Sequence, residues 1–298
     1  MSMGAYEAIN QFRTAMLDAG QSPPATIEAD GQLHRYQVEG DKAASRNGWY
    51  ALHLDGRAAG IFGSWRTGLR STWAADGKRM SEAERQHFAG VIEAAKVKAQ
   101  AERRAMHEAR ATEARAEWHA AVPADPAHLY LVRKAIQPHA LRQHGGLLIV
   151  PLFDAFGLLW NVQRIAANGE KRFKPGRAGG LFSPIGDFTD PACILICEGW
   201  ATGATLHEES GHAVMCAMSA GNLLPVAIAA RSAWPVADLA ICADNDRQTE
   251  GNPGVVYAGA AAKATGARLI VPEFPEGVPG TDFNDLAAIR RKGVRYGE

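Results

Sequence analysis

Between residues 193 and 273 the chain carries four short, nearly unbroken apolar runs: CILICE (193–198), AVMCAM (213–218), LAICAD (239–244) and ARLIVPE (267–273). Helix-forming stretches separate them, ATGATLHEES, NLLPVAIAARSAW and GVVYAGAAAKATG. A strand that is apolar at every position, rather than at alternate ones, is buried on both faces, and intervening helices supply the cover. The pattern therefore predicts a parallel sheet flanked by helices. A chain of 298 residues with 47% hydrophobic content has the material for such a core.

In a sheet of this kind functional groups collect at the carboxyl ends of the strands. The first run ends in Glu198, followed by Gly199, and the third ends in Asp244-Asn245-Asp246. After the fourth comes GTDFNDL, with Asp282, Asn284 and Asp285. One Asp or Asn after a strand is an ordinary turn former. Three acidic clusters on one edge are different, because like carboxylates raise one another's pKa unless a cation lies among them. Magnesium takes oxygen ligands and keeps several waters. An acidic site of this composition suits phosphoryl or nucleotidyl transfer. Chain alternation points Asn245 away from its two neighbours and out of the shell, and Gly199 is expected to supply a tight turn beside a ligand.

The segments CEGWATGATL, ADND and TDFNDL resemble the TOPRIM fold of DNA primases, type IA and II topoisomerases and some nucleases. EGWATGATLHEESG, with NLLPVAIAAR and DFNDL, is more similar to primases of conjugative plasmids, phages and integrated mobile elements. The likeness extends over GLLIVPLFDAFGLLWNVQRIAANGEKRFKPGRAGGLFSPIG and an N-terminal stretch from DGQLHRYQVEG onward, and it is weakest across the middle of the chain. The resemblance implies a DNA primase that synthesises RNA primers on a single-stranded DNA template from ribonucleoside triphosphates, with Mg²⁺ or Mn²⁺ as cofactor and a separate replicative helicase as a partner. It implies that Glu198 binds metal or moves protons, that Asp244 and Asp246 form the metal pair, and that Asp282 completes the site. Two positions depart from bacterial replicative primases: Thr202 and Asn284 stand where those enzymes often carry acids. A TOPRIM nuclease, or a non-catalytic DNA-binding accessory, are the alternatives.

The rest of the chain divides by composition. Residues 1–78 carry short alternating runs separated by Gly and Asp, which predicts a small β-rich module. Residues 79–122 are rich in Ala, Glu and Arg and read as a long charged helical connector, opened by a Ser81–Glu84 capping box. Residues 123–190 read as a basic α+β subdomain in which GLLIVPLF and LLWNVQRIA form a hairpin around DAFG, and residues 191–298 as the TOPRIM catalytic domain. The subdomain holds Arg164, Lys171, Arg172, Lys174 and Arg177 against one nearby acid, Glu170. Such a segment is either a solvated hairpin end or a phosphate-contacting patch for template or triphosphate. The resemblance favours the second, with Lys171 and Lys174 foremost, while Arg164 could instead pair with a sheet carboxylate.

Several function classes drop out. Lys plus Arg equals Asp plus Glu at 32 each, which argues against a generally basic nucleic-acid coat but leaves local patches open. No apolar run is long enough to predict a membrane helix, and the N-terminus lacks the basic-then-apolar pattern of a secretory signal. Four cysteines inside apolar runs predict reduced, buried thiols in a cytoplasmic protein and no structural zinc. The histidines of HEESGH are five apart and do not share a helix face, and no P-loop motif occurs. Trp49, Tyr50 and Trp65 are either the core of the small module or stacking platforms for single-stranded bases.

Overall fold

A computed structural model describes residues 4–293. The chain divides into two compact units, residues 1–104 and 105–298, with the division inside one long helix. The first unit opens with a helix that the alternating pattern of the module does not predict, α1 (Ala5–Asp18). Its apolar positions are four apart, Ala8, Phe12 and Met16, and all three are buried. Four antiparallel strands follow: β1 (His34–Tyr36), β2 (Gly48–His53), β3 (Ala59–Ser64) and β4 (Arg70–Ala74), in the order β1-β2-β3-β4. Alternate residues of β2 and β3 feed two cores. Tyr50, Leu52 and Phe62 meet Phe12 and Met16 of α1. Trp49, Ala51 and Ile61 meet Phe88 and Ile92. These last two belong to α2 (Glu82–Ala120), a helix of 39 residues. The capping box is present: Ser81 backbone N–H donates to Glu84 Oε2 at 2.6 Å and Glu84 N–H donates to Ser81 Oγ at 3.2 Å.

The second unit begins with β5 (Val122–Pro123), α3 (Leu129–Lys134), β6 (Arg142–His144), β7 (Leu147–Phe153), β8 (Leu159–Ala166) and β9 (Lys171–Phe173). These strands form an antiparallel sheet in sequence order, and β7 and β8 are the expected hairpin, closed at Asp154 to Gly157. The remaining elements are β10 (Ser183–Ile185), β11 (Cys193–Cys197), α4 (Trp200–Ser210), β12 (Ala213–Cys216), a 3₁₀ turn at Ala220–Asn222, α5 (Leu223–Ala233), β13 (Asp238–Cys242), α6 (Pro253–Thr265), β14 (Arg268–Ile270) and α7 (Phe283–Arg291). They build a five-stranded sheet in the order β10-β12-β11-β13-β14. The four apolar runs are its parallel strands, while β10 runs antiparallel on β12. Thus β10, although it lies in the segment 123–190, contributes a strand to the sheet built by residues 191–298.

Both faces of β11, β12 and β13 are covered, which is why these strands carry no polar alternation. The edge strand β14 departs from the expectation, with Arg268 and Leu269 exposed. On one face Leu195, Cys197, Val214, Cys216, Ala240 and Cys242 pack with Trp200, Ala201 and Ala204 of α4 and with Leu148, Val150 and Ile165 of the hairpin. On the other, Ile194, Ile196, Met215, Leu239 and Ile241 pack with Leu223, Val226 and Ala230 of α5 and Ala258 and Ala261 of α6. The cysteines are unpaired thiols, with Cys197, Cys216 and Cys242 buried. No helix among the described residues is long and apolar enough to cross a membrane.

Helix α4 lies close enough on the sheet that only glycine fits at position 203. A Cβ there would come within 2.2 Å of Cys216 Sγ and 3.2 Å of Cys197 Sγ. At Gly199, by contrast, a Cβ would meet only Thr202 Oγ1 at 3.5 Å, and the backbone is ordinary extended chain (φ −98°). The expected tight turn at Gly199 is therefore not observed. Gly203→Ala is expected to destabilise by about 1–3 kcal/mol, despite the better helix propensity of alanine, whereas Gly199→Ala stays close to wild type. Denaturant midpoints of the two variants check this.

Candidate functional site

Strand register builds the site. Cys197 of β11 pairs laterally with Cys216 of β12 and with Cys242 of β13, so three parallel strands end in one row. Glu198 follows the first of these ends, Met218 the second and Asp244 the third. Backbone bonds continue one step past the row: Ala217 N–H donates to Cys197 O at 2.8 Å and Met218 N–H to Glu198 O at 2.6 Å. Met218 adopts a left-handed backbone (φ 69°), an uncommon conformation for a side-chain-bearing residue and one found at functional edges. Asp282 reaches the same edge as the N-cap of α7, accepting Asp285 N–H at 2.8 Å.

These residues line a cleft of about 320 Å³ with Lys134, Gln163, Lys171, Phe173, Gly199, Ala201 and Thr202. Asp246 does not line it but stands close enough for its charge to act on both Asp244 and Glu198. Its Oδ2 accepts Gly254 N–H at 3.1 Å in the first turn of α6, where helix amides favour an anion. Gly254 is obligatory there, since a Cβ would come within 2.3 Å of Asp244 O. Asn245 is outside the cleft, as its alternation implied. Its side chain bonds Pro272 O at 3.0 Å and its backbone N–H bonds Thr281 O at 2.6 Å.

The electrostatics are those of acids held together in a partly dry cleft. Burial, then Glu198, Asp282 and Asp246 in turn, push Asp244 up to about 8. Burial and then Asp246 raise Glu198, with the Ala220 amide and Lys171 pulling the other way. Lys171 keeps solvent contact but is surrounded by cleft walls. Burial, with help from Lys134, lowers its pKa, while Asp282, Asp244 and Glu198 oppose that shift. Asp244 Oδ1 is buried without a hydrogen-bond partner. A buried carboxylate oxygen left unpartnered is costly, and an all-oxygen donor set beside it suits a hard divalent cation. Among the described residues, the three-residue group whose ligand atoms all lie within 4.8 Å of one another is Glu28, Asp30 and His34 in the first unit. The strand-end acids are set wider, as suits an ion that retains waters and takes one or two carboxylates directly.

The basic segment divides. Lys171 alone of the five predicted basic residues lines the cleft. Arg164 makes a two-point ion pair with Glu117 of α2, through Nε at 2.6 Å and Nη2 at 2.7 Å. Its partner is thus a helix carboxylate, not a sheet carboxylate. Lys174 joins the same acid at 3.2 Å and also approaches Glu113 at 3.7 Å. Together Arg164 and Lys174 hold Glu117 below the usual carboxylate range. Arg172 pairs with Glu170. Arg177 sits over the Trp160 ring, 4.9 Å from its centroid, and lies 4.0 Å from Asp154. In place of Lys174 the second cleft cation is Lys134, in the last turn of α3, 3.5 Å from Asp285. Asn284 is structural: its Nδ2 bonds Lys134 O at 2.8 Å and Thr205 Oγ1 at 2.9 Å, tying α7 to α3 and α4.

Residues 193–293 match the family model for the Toprim domain. This part of the chain is a Toprim domain. Most of the chain is similar to two Escherichia coli proteins named DNA primase TraC. One is 37% identical over 283 residues, covering 91% of this chain and 26% of the relative. The other is 36% identical over 300 residues, covering 94% and 20%. The chain thus spans about a quarter or less of the length of these curated relatives. Among solved structures it resembles the zinc-binding and RNA polymerase domains of Aquifex aeolicus primase, at 12% identity and a TM-score of 0.44, over 98% of this chain and 83% of that one.

The raised pKa of Asp244 has a consequence for stability. Between its ordinary value of 3.8 and about 8, Asp244 holds a proton in the folded Toprim domain that the unfolded chain has lost. Its contribution to stability therefore falls as pH rises through that window. In EDTA, urea unfolding of Asp244→Asn is expected to show a flatter pH profile than wild type between about pH 5 and pH 8. Parallel profiles would contradict the assignment.

Proposed function

We propose that the chain carries the catalytic core of a DNA primase, synthesising RNA primers on single-stranded DNA from ribonucleoside triphosphates. The observation that carries the reading is the unpartnered, buried Asp244 oxygen on a Toprim strand end, facing two lysines, in a chain over a third identical to proteins named DNA primase. Glu198, Asp244 and Asp246 are the residues to hold Mg²⁺ or Mn²⁺, with Asp282 completing the set. When bound, the ion supplies charge neutralisation on phosphate and alignment of the primer 3′-hydroxyl with the triphosphate.

The protein's own groups do the rest. Lys171 and Lys134 are point cations facing the acids, and they position the negative oxygens of the incoming triphosphate. Lys171 has a lowered pKa, and bringing anionic phosphate beside it restores its full charge. Glu198, raised above an ordinary carboxylate by burial and then by Asp246, would be returned to its ionised form by a cation held among the acids. Phe173, exposed at the cleft rim, presents an apolar face beside the phosphates. Arg164 and Lys174 act at one remove, by fixing the helix carboxylate Glu117 against the sheet that carries Lys171. A replicative helicase on the same template is a partner of this reading.

The test is primer synthesis by the purified chain on single-stranded DNA with ribonucleotides and Mg²⁺ or Mn²⁺. Asp244→Ala and Lys171→Ala are each expected to lower the rate by about 100-fold or more, while Arg172→Ala, whose pair is exposed, stays within about twofold. Template cleavage without nucleotides, or synthesis indifferent to Asp244→Ala, would overturn the reading.

A further inference from the structure

The first unit carries a groove that the Toprim site does not use. It is about 620 Å³ in volume and lies between the β-sheet and residues 95–103 of α2. Its helical wall is a stripe at four-residue spacing, Ala95, Ala99 and Arg103, so two small side chains leave room where larger ones would fill the groove. The opposite wall is Leu33, Arg35 and Trp65. Lys96, Lys98, Arg103 and Arg35 line it against one acid, Glu102. In a chain of zero formal net charge, four cations against one acid make a local basic channel.

Trp49 and Trp65 take different roles. Trp49 is buried in the core of the module. Trp65 stacks on it, with centroids 5.1 Å apart, but is 43% exposed. A backbone bond from Trp65 N–H to Asn47 O at 2.9 Å fixes its position. Across the groove, Lys96 Nζ lies 5.6 Å from the Trp65 ring centroid. Arg35 is held in place by two bonds from its guanidinium, Nε at 3.0 Å and Nη2 at 2.6 Å, to Arg46 O, which leave its remaining donors available.

We propose that this groove binds single-stranded DNA, with a base stacked on Trp65 and phosphates on Lys96, Lys98, Arg103 and Arg35. A rigid aromatic ring within a basic channel is the combination that tracks an unpaired strand. Lys96 is the movable part. Its ammonium leaves the ring when a base arrives, exchanging a weak exposed cation–ring contact for a stack and a phosphate pair. Its other contact, Glu93 at 3.8 Å, is an exposed helix pair of little strength. The groove thus gives the first unit a hold on template that is separate from the acidic cleft.

The measurement is fluorescence anisotropy of a labelled oligo(dT) with the full chain, in EDTA and without nucleotides. Trp65→Ala is expected to weaken binding roughly 5- to 150-fold. Lys96→Glu with Arg103→Glu, both on an exposed helix face, is expected to weaken it and to reduce the salt slope by about 0.7 for each phosphate no longer neutralised. This second variant keeps the test decisive if Trp65→Ala perturbs folding. Because binding is read without metal or nucleotide, it does not call on the acidic site, so a failed primer-synthesis assay and a failed groove are told apart. Unchanged affinity in both groove variants, or a duplex of equal length bound as tightly as oligo(dT), would overturn the proposal.

Discussion

Everything at the Toprim edge depends on the shared register of β11, β12 and β13. Because Cys197, Cys216 and Cys242 lie in one lateral row, the residues just beyond them have nowhere to go but the same short stretch of sheet edge. Glu198 and Asp244 are thereby forced into one another's field, and Asp282 is brought to them by the cap of α7. Mutual repulsion would relax such acids in a flexible loop. Here both faces of the strands behind them are sealed by packed side chains, so the strain persists as a raised pKa and an unpartnered oxygen rather than as movement.

The basic segment follows a different logic. Of five cations within a short stretch of chain, the fold keeps Lys171 for the cleft and uses Arg164 and Lys174 to clamp Glu117. That ion-paired cluster is partly buried, so its value lies in fixing one geometry between helix and sheet, not in a large net energy. Lys174 does not line the cleft, and the second lysine there is Lys134 at the end of α3.

Much of the Toprim architecture is legible in the sequence because fully apolar strands alternating with helices allow few arrangements. The acidic clusters are legible for the same reason: strand ends in a parallel sheet share an edge. What sequence patterns do not reveal are choices decided by distant partners. Arg164 and Lys174 find Glu117 from 47 and 57 residues away, on a helix whose charges otherwise look like solvated surface pairs. Lys134 carries no motif, and only the packing of α3 beside the cleft reveals it. Asn284, two residues past the capping Asp282, serves as a buried tie between three helices. Helix α1 is hidden although its buried residues keep strict four-residue spacing, because the alternating strands that follow it dominate the pattern of the module.

The central claim is that the strand-end acids, with a protonated Asp244 among them, are a site for a hard divalent cation. Calorimetric titration of the nucleotide-free chain with Mn²⁺, repeated in buffers of different ionisation enthalpy near pH 7, tests it directly. The account predicts binding coupled to release of the Asp244 proton, with both binding and release weakened in Asp244→Asn. Binding that releases no proton and is indifferent to Asp244→Asn, or no binding at all, would contradict it.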